Sequence, residues 1–182
     1  MSRTVKFLIA LSIAFSLFLV SGFLLPNHYE VQRDIIIDAS FENIYPYLSD
    51  LKKWEDWTAW SKKEDPSLQM RYEGSETGQG AKQIWKGDKM GDGELMLTES
   101  NIGDGVYYVM KMNEGNIEMK GSIVFRAAEP TQTKVLWTVS GQLGNNPIFR
   151  YFGLLMDNMI ASDLEQGLTN LKTMVESQKI QE

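Results

Sequence analysis

The spacing of apolar residues along the chain changes twice, and each regime predicts a different kind of element. From Val5 to Leu25 apolar residues follow one another almost without a break, and Lys6 is the only charge. A helix of about 20 such residues crosses a bilayer core. Arg3 and Lys6 lie on the N-terminal side, whereas Pro26 to Asp34 mixes Glu30 and Asp34 with Arg33. The positive-inside bias places the N-terminus in the cytoplasm and the rest of the chain outside it. A secretory signal peptide, with the product released after cleavage, is the competing reading. The nearest small-residue site, Ser21-Gly22-Phe23, is a poor one, and the run is long for a signal segment. Residues 1–25 are therefore an N-terminal membrane anchor or a signal peptide, and 26–182 form one domain.

Beyond the linker the period becomes two. Tyr29 to Asp38 reads as a strand with Val31, Ile35 and Ile37 on one face. Ser40 is placed to cap a helix over Phe41 to Ser49. A turn at Asp50 to Lys53 leads into Trp54, Trp57 and Trp60. From Ser67 onward strands alternate with turns, as in an antiparallel meander. Leu68, Met70 and Tyr72 share one face of a strand, Ala81, Gln83 and Trp85 alternate in the next, and Leu95 and Leu97 share a face in the one after. Val106, Tyr108, Met110 and Met112 follow, then Ile117, Met119, Ile123 and Phe125, and last Val135, Trp137 and Val139.

The final regime has a helical period. Asn146-Pro147 is a good helix start. Ile148 to Ile160 is apolar nearly all round, which predicts a buried helix, and Leu164, Leu168, Leu171 and Val175 continue as one stripe. The expected class is α+β with a helix-grip fold. A curved antiparallel sheet of about seven strands wraps a long C-terminal helix, two short helices stand between strands one and two, and a transmembrane helix precedes the domain. A curl wider than one helix leaves room for an internal cavity.

Composition narrows the chemistry. Setting aside Arg3 and Lys6 leaves 16 basic residues against 24 acidic ones, a net charge near −8. That field disfavours nucleic acid and anionic surfaces. There is no Cys, which removes disulfides, thiol nucleophiles and zinc–thiolate sites. The one His, His28, sits in the linker, so a His-based triad or multi-His metal site has no members. Nothing in the sequence calls for a cofactor or a metal ion, and the oligomeric state is left open.

Four stretches resemble a known family. Ile35-Ile36-Ile37-Asp38-Ala39-Ser40, followed by Ile44, Leu48 and Ser49-Asp50, is similar to its opening strand and helix. Trp54-x-x-Trp57-x-x-Trp60 with Asp65-Pro66 resembles its tryptophan-rich turn. Gly78-x-Gly80 with Trp85, then Gly91-x-Gly93, resembles its first hairpin, and Asp163 to Lys172 its terminal helix. The family is the START and birch-pollen-allergen (SRPBCC) superfamily, within it the polyketide cyclase/dehydrase and lipid-transport group. The resemblance implies a helix-grip fold and a cavity for apolar or amphipathic small molecules. It carries over no catalytic motif.

The residues expected to line that cavity are Trp85, Tyr108, Met110, Met112, Met119, Phe125 and Trp137, with Met156 from the last helix. Methionine adapts to irregular shapes and suits a promiscuous apolar pocket. The plainer reading is a packed core. Trp54, Trp57 and Trp60 are candidates for a lip at the cavity mouth with indole N–H groups toward water, or else for a satellite core. Arg33 is a mouth residue able to hold an anionic headgroup or carboxylate, or else a solvated rim residue. Three functions follow: a membrane-tethered carrier or sensor of a hydrophobic or lipid-like molecule, a cyclase- or dehydratase-like enzyme, and an interaction domain with a filled core.

Overall fold

The structure, a computed structural model, describes residues 2–129 and 131–179. Helix α1 (Arg3–Leu24) is followed by strand β1 (His28–Ile37), helix α2 (Phe41–Ser49), a 3₁₀ turn (Leu51–Lys53) and the single-turn helix α3 (Trp54–Trp57). Strands β2 (Gln69–Gly74), β3 (Ala81–Gly87), β4 (Gly91–Asn101), β5 (Gly105–Met112), β6 (Ile117–Glu129) and β7 (Gln132–Gln142) follow. Helices α4 (Pro147–Gly153) and α5 (Met156–Lys179) end the described chain.

The seven strands form one sheet in the order β1-β7-β6-β5-β4-β3-β2, every pair antiparallel. Consecutive hairpins build six of them, and β1 returns to pair with β7. The alternation read from the sequence sets which face is buried. Val31, Ile37, Leu95, Leu97, Val106, Tyr108, Met110, Ile123, Val135, Trp137 and Val139 all point inward. The α5 stripe of Leu164, Leu168, Leu171 and Val175 meets that face, and α5 packs chiefly against β1. One helix cannot cover a seven-strand sheet, so α2, the 3₁₀ turn and α3 close the remainder.

Three expectations are corrected here. Ser40 stands at the start of α2, but its side chain makes no capping bond; its carbonyl accepts from the Asn43 N–H. The long terminal helix is not continuous, because the chain turns at Leu154-Leu155 between α4 and α5. The segment expected to be buried is instead outward-facing: Ile148, Phe149, Phe152, Leu154, Leu155 and Met159 are exposed. The reason is local. Gly22 of α1 lies so close to Pro147 and Tyr151 that no larger side chain fits, and Phe18 stacks on Tyr151 at 4.4 Å. Helix α4 is thereby held against α1 and away from the core.

Candidate functional site

Between the sheet and its helices lies a cluster of five aromatic side chains. Trp54 and Trp57 are consecutive on one face of α3, with ring centroids 5.3 Å apart. Trp137 of β7 meets Trp57 edge-on at 5.3 Å and Trp60 at 6.2 Å. Tyr108 of β5 meets Trp54 at 5.5 Å. Edge-to-face contacts of this kind add to the burial of each ring.

The polar ends of the four buried rings, Trp54, Trp57, Trp137 and Tyr108, are satisfied internally. Trp54 Nε1 donates to the Leu48 carbonyl at 3.0 Å and Trp57 Nε1 to that of Tyr47 at 3.3 Å. Trp137 Nε1 donates to the Tyr108 hydroxyl at 2.8 Å. Burial pushes the Tyr108 hydroxyl well above the ordinary tyrosine range, and the Trp137 bond offsets part of that rise. Tyr108 is therefore a neutral phenol across the physiological range.

Close packing of these rings depends on glycines opposite them. Tyr108 pairs across the strands with Gly121, Tyr29 with Gly141 and Trp85 with Gly93. In each pair the ring lies over the glycine where a Cβ would otherwise stand. Trp137 does the same across the sheet–helix gap, since a Cβ on Gly167 of α5 would come within 2.7 Å of its ring. Gly93 stands in the hairpin motif noted with Trp85 and Gly167 within the stretch from Asp163 to Lys172, whereas Gly121 and Gly141 lie outside every motif noted above. Their signal is a glycine inside an otherwise regular strand or helix.

The interior space left over is small. A void of about 10 Å³, room for about one water molecule, is bounded by Trp54, Thr58, Trp60, Leu68, Met70, Gln83, Trp85, Met90, Leu95 and Met110. It lies beside β2, β3 and β4, at the opposite end of the sheet from β1, where α5 rests. Of the residues expected to line a cavity, Trp85 and Met110 border this void. Tyr108 and Trp137 are buried in the aromatic cluster. Met112, Met119 and Met156 are half-buried against the core, and Phe125 is buried near Phe41 with ring centroids 6.2 Å apart. Met70 and Met90, which the sequence did not single out as lining, border it too, as does Gln83. Gln83 Nε2 and the Tyr72 hydroxyl converge on Met70 Sδ at 3.2 Å and 3.4 Å.

Trp54, Trp57 and Arg33, named for the mouth, are engaged within the fold. Trp54 and Trp57 form no water-facing lip: they are 2% and 0% exposed, because carbonyls at the end of α2 accept both indole N–H groups. Trp60, beyond the end of α3, is half-buried and borders the void. Arg33 does not stand ready for a headgroup. Its guanidinium forms a two-point bond to Asp157, both contacts at 3.0 Å, and a 2.7 Å bond to Glu165. The bond to Arg33 holds the Asp157 carboxyl below its ordinary range. Arg33 clamps the first turns of α5 onto β1.

Asp65 is the most buried acidic group described, at 1% exposure. Its carboxylate accepts from Ser67 Oγ at 2.6 Å and from the N–H groups of Lys89 and Met90 at 2.9 and 3.1 Å. The Ser67 hydroxyl above all, with Met90 and Lys89, outweighs burial and holds its pKa at about 2. It ties the β3–β4 turn to the loop after α3 and so frames one wall of the void. The lining itself has no ionisable side chain. It offers apolar contact and the hydrogen-bonding groups of Thr58 and Gln83, but no proton donor or acceptor of the kind general acid–base chemistry uses. Among the described residues no group of three or more His, Cys, Asp or Glu is placed to hold a metal ion.

A seven-strand sheet curled over a long helix, with an aromatic interior between them, defines a helix-grip protein of the START/birch-pollen-allergen type. Residues 28–176 match the family described as polyketide cyclase/dehydrase and lipid transport, and the chain belongs to that family. Solved structures share the fold. The protein of unknown function SA2116 from Staphylococcus aureus is 12% identical, with a TM-score of 0.62 over 84% of this chain and 96% of that one. The allergen Ara h 8.0201 is 13% identical, with a TM-score of 0.57 over 82% of this chain and 99% of that one. The di-domain ARO/CYC protein BexL, from the BE-7585A biosynthetic pathway, is 15% identical, with a TM-score of 0.58. The match takes in 81% of this chain and only 46% of BexL. No curated protein sequence matches the chain. At these identities the likeness is one of fold.

Proposed function

We propose that the protein is a membrane-tethered binding domain that takes a hydrophobic or lipid-like molecule between its sheet and helices, as a carrier or sensor. Helix α1 is long and apolar enough to span a bilayer, and in this reading it holds the domain on the extracytoplasmic face. The observation that carries the binding proposal is the lining of the interior void, where Met70, Met90, Trp60 and Trp85 are half-buried and Met110 and Trp54 are buried. Flexible thioethers re-pack around different shapes.

A one-water void admits no such ligand unless side chains move, so binding is coupled to opening. The apparent affinity is then the intrinsic affinity reduced by the fraction of molecules that are open. Native mass spectrometry of the full chain in mild detergent, followed by solvent extraction, tests the proposal. A stoichiometric apolar molecule supports it. A protein that stays empty after exposure to a lipid extract overturns it.

One observation favours a second reading, an interaction domain with a filled core: the five-ring cluster occupies the space a standing cavity would need. The surface then carries the function. It carries a hollow of about 410 Å³ bordered by Glu55, Asp56, Glu64, Gln166 and Asn170. An empty protein in the same experiment supports this reading.

A further inference from the structure

We infer that helix α4 and the turn after it lie in the outer leaflet of the bilayer, making a second membrane contact beside α1. The inference rests on the reading of α1 as a membrane anchor.

Three observations carry it. The first is composition. Between Asn146 and Met156 the only charge is Arg150, while Ile148, Phe149, Phe152, Leu154 and Leu155 are exposed. So compact an apolar surface on a domain that is otherwise acidic marks an interaction site.

The second is position. The exposed face continues that of α1, because α4 packs on the last two turns of that helix. The Tyr151 ring stacks on Phe18, and its hydroxyl donates to the Phe18 carbonyl at 2.7 Å and meets Ser21 Oγ at 2.7 Å. Phe18 lies seven residues before Leu25, roughly 10 Å along a helix axis. If Leu25 marks the edge of the hydrocarbon, α4 reaches the depth at which interfacial helices seat their apolar faces, about 5–10 Å.

The third is how the end of α1 is satisfied. Arg150 Nη1 donates to the carbonyls of Phe23 and Leu25 at 2.8 and 3.2 Å, and its guanidinium lies 5.7 Å from the Phe23 ring centre. Helix-end carbonyls without an intrahelical partner are costly near hydrocarbon. A cation at that end also complements the helix dipole. The one charge of the segment thus faces α1, and the apolar side chains are left for lipid. With few basic residues nearby, insertion here is apolar in origin and needs no anionic lipid.

The chain has no cysteine, so single-cysteine variants can be spin-labelled cleanly. Phe149→Cys, Phe152→Cys and Leu155→Cys would be compared with Phe15→Cys on α1 and Thr169→Cys on α5. All five positions are exposed, so the fold tolerates the labels. The full-length protein is reconstituted in phosphatidylcholine vesicles. Label accessibility to oxygen and to a water-soluble nickel complex is then measured.

The expected result is a several-fold higher ratio of oxygen to nickel accessibility at 149, 152 and 155 than at 169, approaching that at 15. Labels at 149, 152 and 155 as open to nickel as at 169, with 15 shielded, would overturn the inference and leave the anchor standing. A nickel-accessible label at 15 would overturn both. Strong spin–spin broadening at 149 would assign the face to a second copy of the chain and also overturn the inference.

Discussion

Trp137 and Tyr108, from strands two apart in the sheet, share one hydrogen bond that neither can replace. Trp137 Nε1 donates to the Tyr108 hydroxyl at 2.8 Å, and both side chains are almost fully buried, at 1% and 2% exposure. Each is therefore the sole listener for the other's polar atom in a region without solvent. Tyr108→Phe leaves an indole N–H unpaired and is expected to cost about 1–3 kcal/mol. Trp137→Phe orphans the hydroxyl and also removes ring contact, so it should cost at least as much. The double variant removes both partners and should be less destabilised than the two single costs together. Urea unfolding of the four proteins measures the coupling, and strict additivity would deny it.

Gly121 supports the same pair from below, because the Tyr108 ring lies where its Cβ would stand. The ring is walled in by Trp54 and Trp137, so it has nowhere to retreat. Gly121→Ala is expected to destabilise the fold by about 1–3 kcal/mol, the range for overpacking a tight core. Gly103→Ala is the matched control, since the nearest atom to its Cβ would be the Asn101 side-chain oxygen at 3.6 Å. Equal melting temperatures for the two variants would contradict this packing.

Asp65 predicts an acid sensitivity of definite sign. Its pKa of about 2 in the folded protein lies below the value of about 3.9 expected in the unfolded chain. A depressed carboxylate stabilises the fold above the unfolded value and ceases to do so as pH falls through the folded one. Asp65→Asn keeps the shape but turns an amide N–H₂ toward one of the two donor sets, either Ser67 or Lys89 with Met90. It should lower stability at neutral pH, and the deficit relative to the parent should shrink between pH 4 and 2. Chemical unfolding across that range checks it, and a pH-independent deficit would dismiss the charge as the cause.

Trp60 tests the binding proposal from the protein side. It is the half-buried member of the aromatic cluster and borders the void. Trp60→Ala enlarges that space at its open edge and should cost stability, by less than the 3–5 kcal/mol typical of a fully buried tryptophan. An apolar fluorescent probe should bind the variant at least tenfold more tightly than the parent, since the void no longer has to open. Unchanged titration curves would mean the space is core and not a collapsed site.

Arg33 should behave as a clamp. Arg33→Gln loses the bonds to Asp157 and Glu165, and amide exchange should rise over the first turns of α5. Because Asp157 and Glu165 are more than half exposed, salt should reproduce part of that effect. Ligand retention should be unchanged, and its loss would return Arg33 to the role of a headgroup contact.

The linear order of elements was legible in the sequence because it rests on periodicity. Alternation in β4 to β7 put Leu95, Tyr108, Ile123 and Trp137 on the inner face, and the α5 stripe of Leu164, Leu168 and Leu171 predicted its buried side. Local chemistry also announced the apolar span of α1 and the start of α4 at Asn146-Pro147. Family membership followed from spaced residues such as the three tryptophans after α2.

What a side chain meets across the fold was settled only by tertiary structure, since it depends on the curl of the sheet and on chain segments far apart in sequence. That is why Trp54 and Trp57 fill the grip, where their spacing left a lip or a satellite core open, and why Gly121 and Gly167 hold rings. It is also why Arg33 finds two carboxylates more than 120 residues away. The apolar run from Ile148 carries no mark that separates a core helix from one turned outward. The contacts of Tyr151 and Arg150 with α1 decide that, because they fix the direction in which the remaining faces of α4 point.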